Sequence, residues 1–172
     1  MTLKKVLVTG GSGYLGSLTV AALAARGDMH VVSLDVREPL KRAPGAEYEL
    51  ADIRSPDLGS IVARHAPDVV VHLASIVTPG KNSNREFEYD VDVNGTRNIL
   101  DACVAHGVQR IIVSSSGAAY GYYADNPEWL VETDAIRGND AFAYSCHKRL
   151  VEEMLADYRS KHPALQQTIF RI

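Results

Sequence analysis

In the run YSCHK a phenol and an ammonium, Tyr144 and Lys148, stand four residues apart. On a helix this spacing puts both on one face. An ammonium beside a phenol favours the phenolate, so the pair has the composition of a proton-transferring group, although the same pairing is common at the wet start of any amphipathic helix. A second run, IIVSSSGAAYG from Ile111 to Gly121, ends an apolar segment in Ser114, Ser115 and Ser116. If that segment is a central parallel strand, its carboxyl end faces the ligand crevice of the sheet. Read alone, three serines are more readily a plain strand-ending turn.

A third run, VLVTGGSGYLGS from Val6 to Ser17, carries four glycines within positions 10–16. Gly11, Gly13 and Gly16 fit GxGxxG, and Gly10, Gly13 and Gly16 fit GxxGxxG, so both registers remain open. Glycines there allow a sharp turn after the strand, close approach of a pyrophosphate to the backbone, and a helix lying close to the sheet. The unpaired N–H groups of the helix start would supply an anion site. Asp35 follows Gly16 by 19 residues, where a carboxylate would accept both ribose hydroxyls of an adenosine. Its charge would repel a 2′-phosphate and so favours NAD over NADP, while Arg37, two residues on, counts the other way. No Gly-Lys-Ser/Thr follows the glycines, which excludes a P-loop.

These residues need a scaffold. Short β-branched runs alternate with stretches of helical period, the signature of βαβ units on a parallel sheet. Strands are expected at 5–9, 30–35, 46–50, 69–73, 110–114 and 167–172, and helices at 14–25, 58–65, 87–106 and 143–162. The strands are nearly all apolar, as strands covered on both faces must be. The stretch 121–140, which includes Trp129, keeps neither period and reads as a long loop of functional or linker type.

Composition sets limits. With 172 residues, 46% of them hydrophobic, one domain over 1–172 is expected. A net charge of −3 gives no reason to expect nucleic acid or a membrane surface as partner. Cys103 and Cys146 lack metal-type spacing and suit a reducing, cytoplasmic compartment. The histidines at 30, 65, 72, 106, 147 and 162 show no HExxH pattern, so no metal site is expected, and His72 reads as a packed strand-end residue. Asp90, Asp92, Glu152 and Glu153 read as solvated helix faces. The apolar run near the N-terminus breaks at Thr9 and Gly10, too early for a signal peptide or a membrane span, which puts the mature start at or near Met1. The sequence stops inside an expected strand, TIFRI, as a piece of a longer protein would.

Taken in order, TGGSGYLG, ADI at 51–53, HLAS at 72–75, DVNGTRNIL at 92–100, SSSGAAYG and YSCHK resemble the motifs of the short-chain dehydrogenase/reductase superfamily, in its extended branch of NAD-dependent epimerases and dehydratases. The likeness runs over essentially the whole chain. It implies an α/β fold, a Rossmann-type doubly wound parallel sheet with helices on both faces, without the C-terminal substrate lobe that such proteins carry beyond an R-x-x-N-type motif. Arg171 stands where that motif would begin.

The resemblance also implies roles. Tyr144 would be the acid/base, Lys148 would hold the nicotinamide ribose and favour the phenolate, and Ser116 would bond the reacting hydroxyl or carbonyl. Cofactor contacts would come from Gly10, Gly13, Tyr14, Leu15, Gly16, Asp35, Asp52, Ile53, Leu73, Ala74, Ser75, Asn94 and Ser114, together with Tyr144 and Lys148. Lowering a tyrosine pKa from about 10 to about 7 takes roughly 4 kcal/mol. A cation about 4 Å away at an effective dielectric of 20 supplies around that much. The stretch RGNDAFAY departs from the branch in having no proline just ahead of Tyr144.

The function this implies is an NAD-dependent oxidoreductase or epimerase/dehydratase acting on a sugar nucleotide or related hydroxyl or carbonyl compound. A homodimer would form through the helices 87–106 and 143–162, although the stripe Leu150, Val151, Met154, Leu155 and Tyr158 also reads as core. The alternative is a non-catalytic NAD(P)-binding sensor of the same fold, against which the retained serine, tyrosine and lysine argue.

Overall fold

The computed structural model describes residues 3–81 and 83–172; Met1, the expected mature start, lies outside them. Six parallel strands form one sheet: β1 (Lys4–Thr9), β2 (Met29–Asp35), β3 (Ala46–Leu50), β4 (Val69–His72), β5 (Arg110–Ser115) and β6 (Gln166–Arg171). Their order is β3-β2-β1-β4-β5-β6, with Val8 beside Ser33 on one side and Val71 on the other. This is the doubly wound order in which the chain reverses direction between β1 and β4, opening a crevice at the carboxyl ends there.

The apolar strands are explained by two cores. Val6, Val8, Val31, Val69 and Val71 pack on one face with Val20 of α1 (Tyr14–Ala25). Leu7, Val32, Leu34, Val70, Ile111 and Val113 turn to the opposite face. There they meet α2 (Leu58–His65), α4 (Gly95–Ala105) and α5 (Ala143–Lys161). Alternate side chains of a strand face opposite ways, so a strand between two layers must be apolar throughout.

The helix expected over 87–106 is three pieces: α3 (Arg85–Tyr89), one π turn over Asp90–Asn94, and α4. Asn84 caps its start by accepting the Phe87 N–H at 2.9 Å. After β5 a single 3₁₀ turn, Gly117–Tyr120, interrupts what reads in sequence as a strand end; Ser116 caps it by accepting the Ala118 N–H. The stretch 121–140 has no regular structure, but it is held by its own bonds. The hydroxyl of Tyr120 donates to the Val131 carbonyl, that of Tyr123 to the Arg137 carbonyl, and Arg137 pairs with Asp125.

Candidate active site

Gly10 sits in the left-handed region at φ 70°, and a Cβ there would lie 2.7 Å from the Ala74 nitrogen of the neighbouring strand end. Only glycine satisfies both conditions. A Cβ on Gly16 would lie 2.0 Å from the Gly10 carbonyl oxygen, so α1 can rest directly on the turn. Helix α1 opens with no side-chain cap and no acidic residue in its first turn. Among the described residues the N–H groups of Tyr14, Leu15 and Gly16 have no acceptor, which leaves the positive end of the helix aimed out of the turn. The side chains of Tyr14 and Leu15 are exposed, so what these two residues offer a ligand is backbone.

A cleft of about 440 Å³ runs from this turn along the strand ends. Gly10, Gly13, Asp35, Asp52, Ile53, Leu73, Ala74 and Ser75 line it, all of them expected there, together with Arg54 and Phe87, which were not. Asp35 is held by two backbone donors, Ser12 N–H to Oδ2 at 2.9 Å and Arg37 N–H to Oδ1 at 3.2 Å. Each carboxylate oxygen accepts more than one hydrogen bond, so the cleft keeps an acceptor pair beside the glycine turn. Arg54 forks onto Asp52, reaches Asp90, and lies 4.8 Å over the Phe87 ring. Its hydrogen bonds hold the Asp52 carboxyl below the usual carboxylate range, more than offsetting the opposite effect of burial.

The second cluster lies across Ala74 and Ser75, which line both the cleft and a small cavity shared by His72, Asp92, Thr96, Ser114, His147 and Lys148. Lys148 is buried and donates to the Ser114 carbonyl at 3.0 Å; its ammonium stands 5.4 Å from the centre of the Tyr144 ring. The pair thus shares one end of α5, with the ammonium over the face of the phenol ring. Burial pulls the Lys148 ammonium below the usual lysine range, with Asp92 and Glu152 opposing it. Ser116 donates to the Ile172 carbonyl at 3.3 Å and, among the described residues, shares no hydrogen bond with Tyr144.

Three expectations are corrected. Asn94 is not in the cleft: the π turn carries it to the surface, where its amide bonds Asp90, while Asp92 and Val93 turn inward. Asp92 is not solvated. Its Oδ1 accepts the Ser75 hydroxyl at 3.0 Å and the Ile76 N–H at 2.8 Å, and its Oδ2 lies 2.9 Å from Nδ1 of His147. Glu152 is buried too, bonded to Ser115 and Arg171.

His72 spans Thr9 at 2.7 Å and Thr96 at 2.9 Å, as a packed strand-end residue would. Sequence reasoning missed Asp92, His147 and Glu152, yet a signal existed. The inward stripe Ile99 and Cys103, carried back along its helix, reaches Thr96 and Asp92; the stripe of Val151, Leu155 and Tyr158 carried back reaches His147.

The family model for the NAD dependent epimerase/dehydratase family matches residues 6–172. The chain belongs to that family. UDP-glucose 4-epimerase of Erwinia amylovora is 35% identical over 178 residues, covering 96% of this chain and 52% of that protein. The Homo sapiens UDP-glucose 4-epimerase is 31% identical over 172 residues, covering 90% of this chain and 48% of its own length. Among solved structures, UDP-glucose 4-epimerase from Brucella ovis in complex with NAD superposes with a TM-score of 0.85 at 30% identity, over 98% of this chain and 51% of that one. The complex of the Thermus thermophilus UDP-glucose 4-epimerase with NAD gives 0.82 at 29% identity, over 97% and 54%. The chain thus spans about half the length of the epimerase/dehydratase relatives it matches. Among the described residues no helix is long and apolar enough to cross a membrane, and no three His, Cys, Asp or Glu side chains are placed to hold a metal ion.

Proposed function

We propose that residues 1–172 are the NAD-binding domain of an epimerase/dehydratase that acts on a nucleotide sugar, with Tyr144 as its acid/base. The observation that carries the reading is the continuity of the two clusters: Ala74 and Ser75 wall both the glycine-turn cleft and the cavity of Lys148. The cleft fits a dinucleotide on its own features, since it joins uncapped helix N–H groups for a diphosphate, a carboxylate for a ribose, and apolar walls at Leu34, Ile53 and Val91 for a base. NAD, when bound, supplies hydride acceptance and return.

In this reading Gly10, Gly13 and the N–H groups of Tyr14, Leu15 and Gly16 hold the diphosphate, Asp35 takes the ribose hydroxyls, and Asp52 with Ile53 borders the base. Leu73, Ala74, Ser75 and Ser114 border the nicotinamide end. Tyr144 exchanges a proton with the substrate hydroxyl, Lys148 stabilises the phenolate, and Ser116 orients the oxygen that reacts. Charge logic at Asp35 favours NAD over NADP. The free thiols Cys103 and Cys146 support a cytoplasmic setting. The helical faces within 87–106 and 143–162 are assigned to a homodimer, on the family likeness.

Calorimetric titration with NAD and NADP tests the cofactor assignment: NAD binds, NADP binds more weakly, and no NAD binding overturns the reading. In the full-length protein, Tyr144→Phe is expected to abolish turnover of nucleotide sugars while NAD affinity stays near wild type. Undiminished turnover would remove Tyr144 from the chemistry.

A further inference from the structure

The π turn delivers one carboxylate into the interior beside Lys148, and its surroundings are specific. The side chains of Asp92 and His147 are only 4% and 2% exposed, and they meet at 2.9 Å. Asp92 also binds the peptide after β4 through Ser75 and Ile76, and that peptide walls the cleft. Its own backbone carbonyl accepts the Thr96 hydroxyl, which in turn bonds His72 and, beyond it, Thr9 at the entry to the glycine turn. His147 is fixed from the other side by the edge of the Tyr89 ring at 5.6 Å. It immediately precedes Lys148 on α5. A π turn placed at such a junction is a common mark of a functional site.

The charges around Lys148 single out Asp92. Among the described residues the titratable groups facing Lys148 are Tyr144, His147 and Glu152 from its own helix, His72 from β4, and Asp92 from the π turn. Glu152 is already matched: Arg171 holds both of its oxygens, at 3.0, 3.1 and 2.7 Å. The other partners of Asp92, the Ser75 hydroxyl and the Ile76 N–H, carry no charge. Such a carboxylate acts on the ionisable groups of the cavity it shares, Lys148 among them, because little water screens it.

We infer that Asp92, oriented by His147, is a positioning residue for the Tyr144–Lys148 pair: it ties α5 to the cleft wall at Ser75–Ile76 and is the counter-charge that keeps Lys148 an ammonium. The assignment rests on the proposed role of Tyr144 and Lys148. Its electrostatic part concerns residues of this chain alone and is measured without cofactor or turnover.

The test is the ¹³C NMR titration of the Lys148 ε-methylene, assigned by its loss in Lys148→Arg. Asp92→Asn is expected to lower the Lys148 midpoint by about one pH unit or more, the direction in which loss of a nearby opposite charge acts. Glu153→Gln, an exposed carboxylate on the same helix, is the control and leaves the midpoint in place. A shift in Asp92→Asn no larger than in the control overturns the inference. A purely structural role would lower the melting temperature without moving the midpoint.

Should Asp92→Asn not fold, the wild-type chain still decides. At pH 7 the His147 Nδ1 is expected to carry the proton and the Asp92 γ-carbon to report an ionised carboxylate; a bare Nδ1 or a protonated Asp92 overturns the inference. Calorimetry with NAD on the same samples separates the two readings. Absent NAD binding with the Lys148 shift intact sinks the functional proposal and leaves the counter-charge standing.

Discussion

Arg171 on the last strand grips Glu152 on α5 through Nε and Nη2 while its guanidinium carbon lies 4.7 Å over the Tyr120 ring. The carboxylate is 3% exposed and also accepts the Ser115 hydroxyl at 2.5 Å. One ion pair therefore joins β6, α5, the end of β5 and the turn that follows it.

Removing one partner of a buried ion pair strands the other charge. Arg171→Leu is expected to cost about 3 kcal/mol in urea unfolding, and the double variant Glu152→Leu/Arg171→Leu to recover much of that, because the desolvation of both charges goes with them. A double variant as unstable as the single one would show that packing, not charge, sets the loss.

Acid should weaken the fold through His72. Burial pushes this imidazole down to about 3, with the Lys148 ammonium acting the same way, against an ordinary value near 6.5. In this window the unfolded chain binds the proton and the folded chain does not. The contribution of neutral His72 is thus complete above pH 6.5 and is lost as pH falls from 6.5 toward 3, at about 1.4 kcal/mol per unit. Carboxylates titrate in the lower part of that range, so the informative quantity is the difference from His72→Gln. Wild type should lose stability more steeply than the variant between pH 6.5 and 4.5, and parallel curves would refute the assignment.

Two glycines should respond to alanine in opposite directions. At Gly16 the new Cβ meets backbone at 2.0 Å and nothing there can yield, so Gly16→Ala should cost about 3 kcal/mol or more. At Gly59, within α2, the nearest atom would be the His106 ring nitrogen at 3.8 Å, an ordinary contact. Gly59→Ala should gain roughly 0.5 kcal/mol from helix propensity. Thermal melts of the two variants decide both points.

The sheet was legible because β1, β2, β4 and β5 carry apolar runs and every connection but that from β2 to β3 carries a helical period; strand limits differ from expectation by at most one residue. Asp35 and the glycine turn were legible for a related reason, since their spacing follows from strand and helix lengths. The polar interior was not. A lone Asp92 between Val91 and Val93 reads as a helix-surface acid because a carboxylate is rarely buried, although its place four residues before Thr96 continues the inward stripe of Ile99 and Cys103. Asn94, two positions on, falls on the surface, apart from the residues that line the cleft. His147 and Glu152 were hidden differently: both occupy the apolar stripe of α5, where their partners come from residues 55 and 19 positions away, and only tertiary pairing makes such burial tolerable.

The partition formed by Ala74 and Ser75 has a mechanical meaning. A molecule lodged on its outer side presses against the same short piece of backbone that a carboxylate clasps from within. Occupancy and the seating of α5 are therefore expected to be linked, so that whatever steadies one steadies the other.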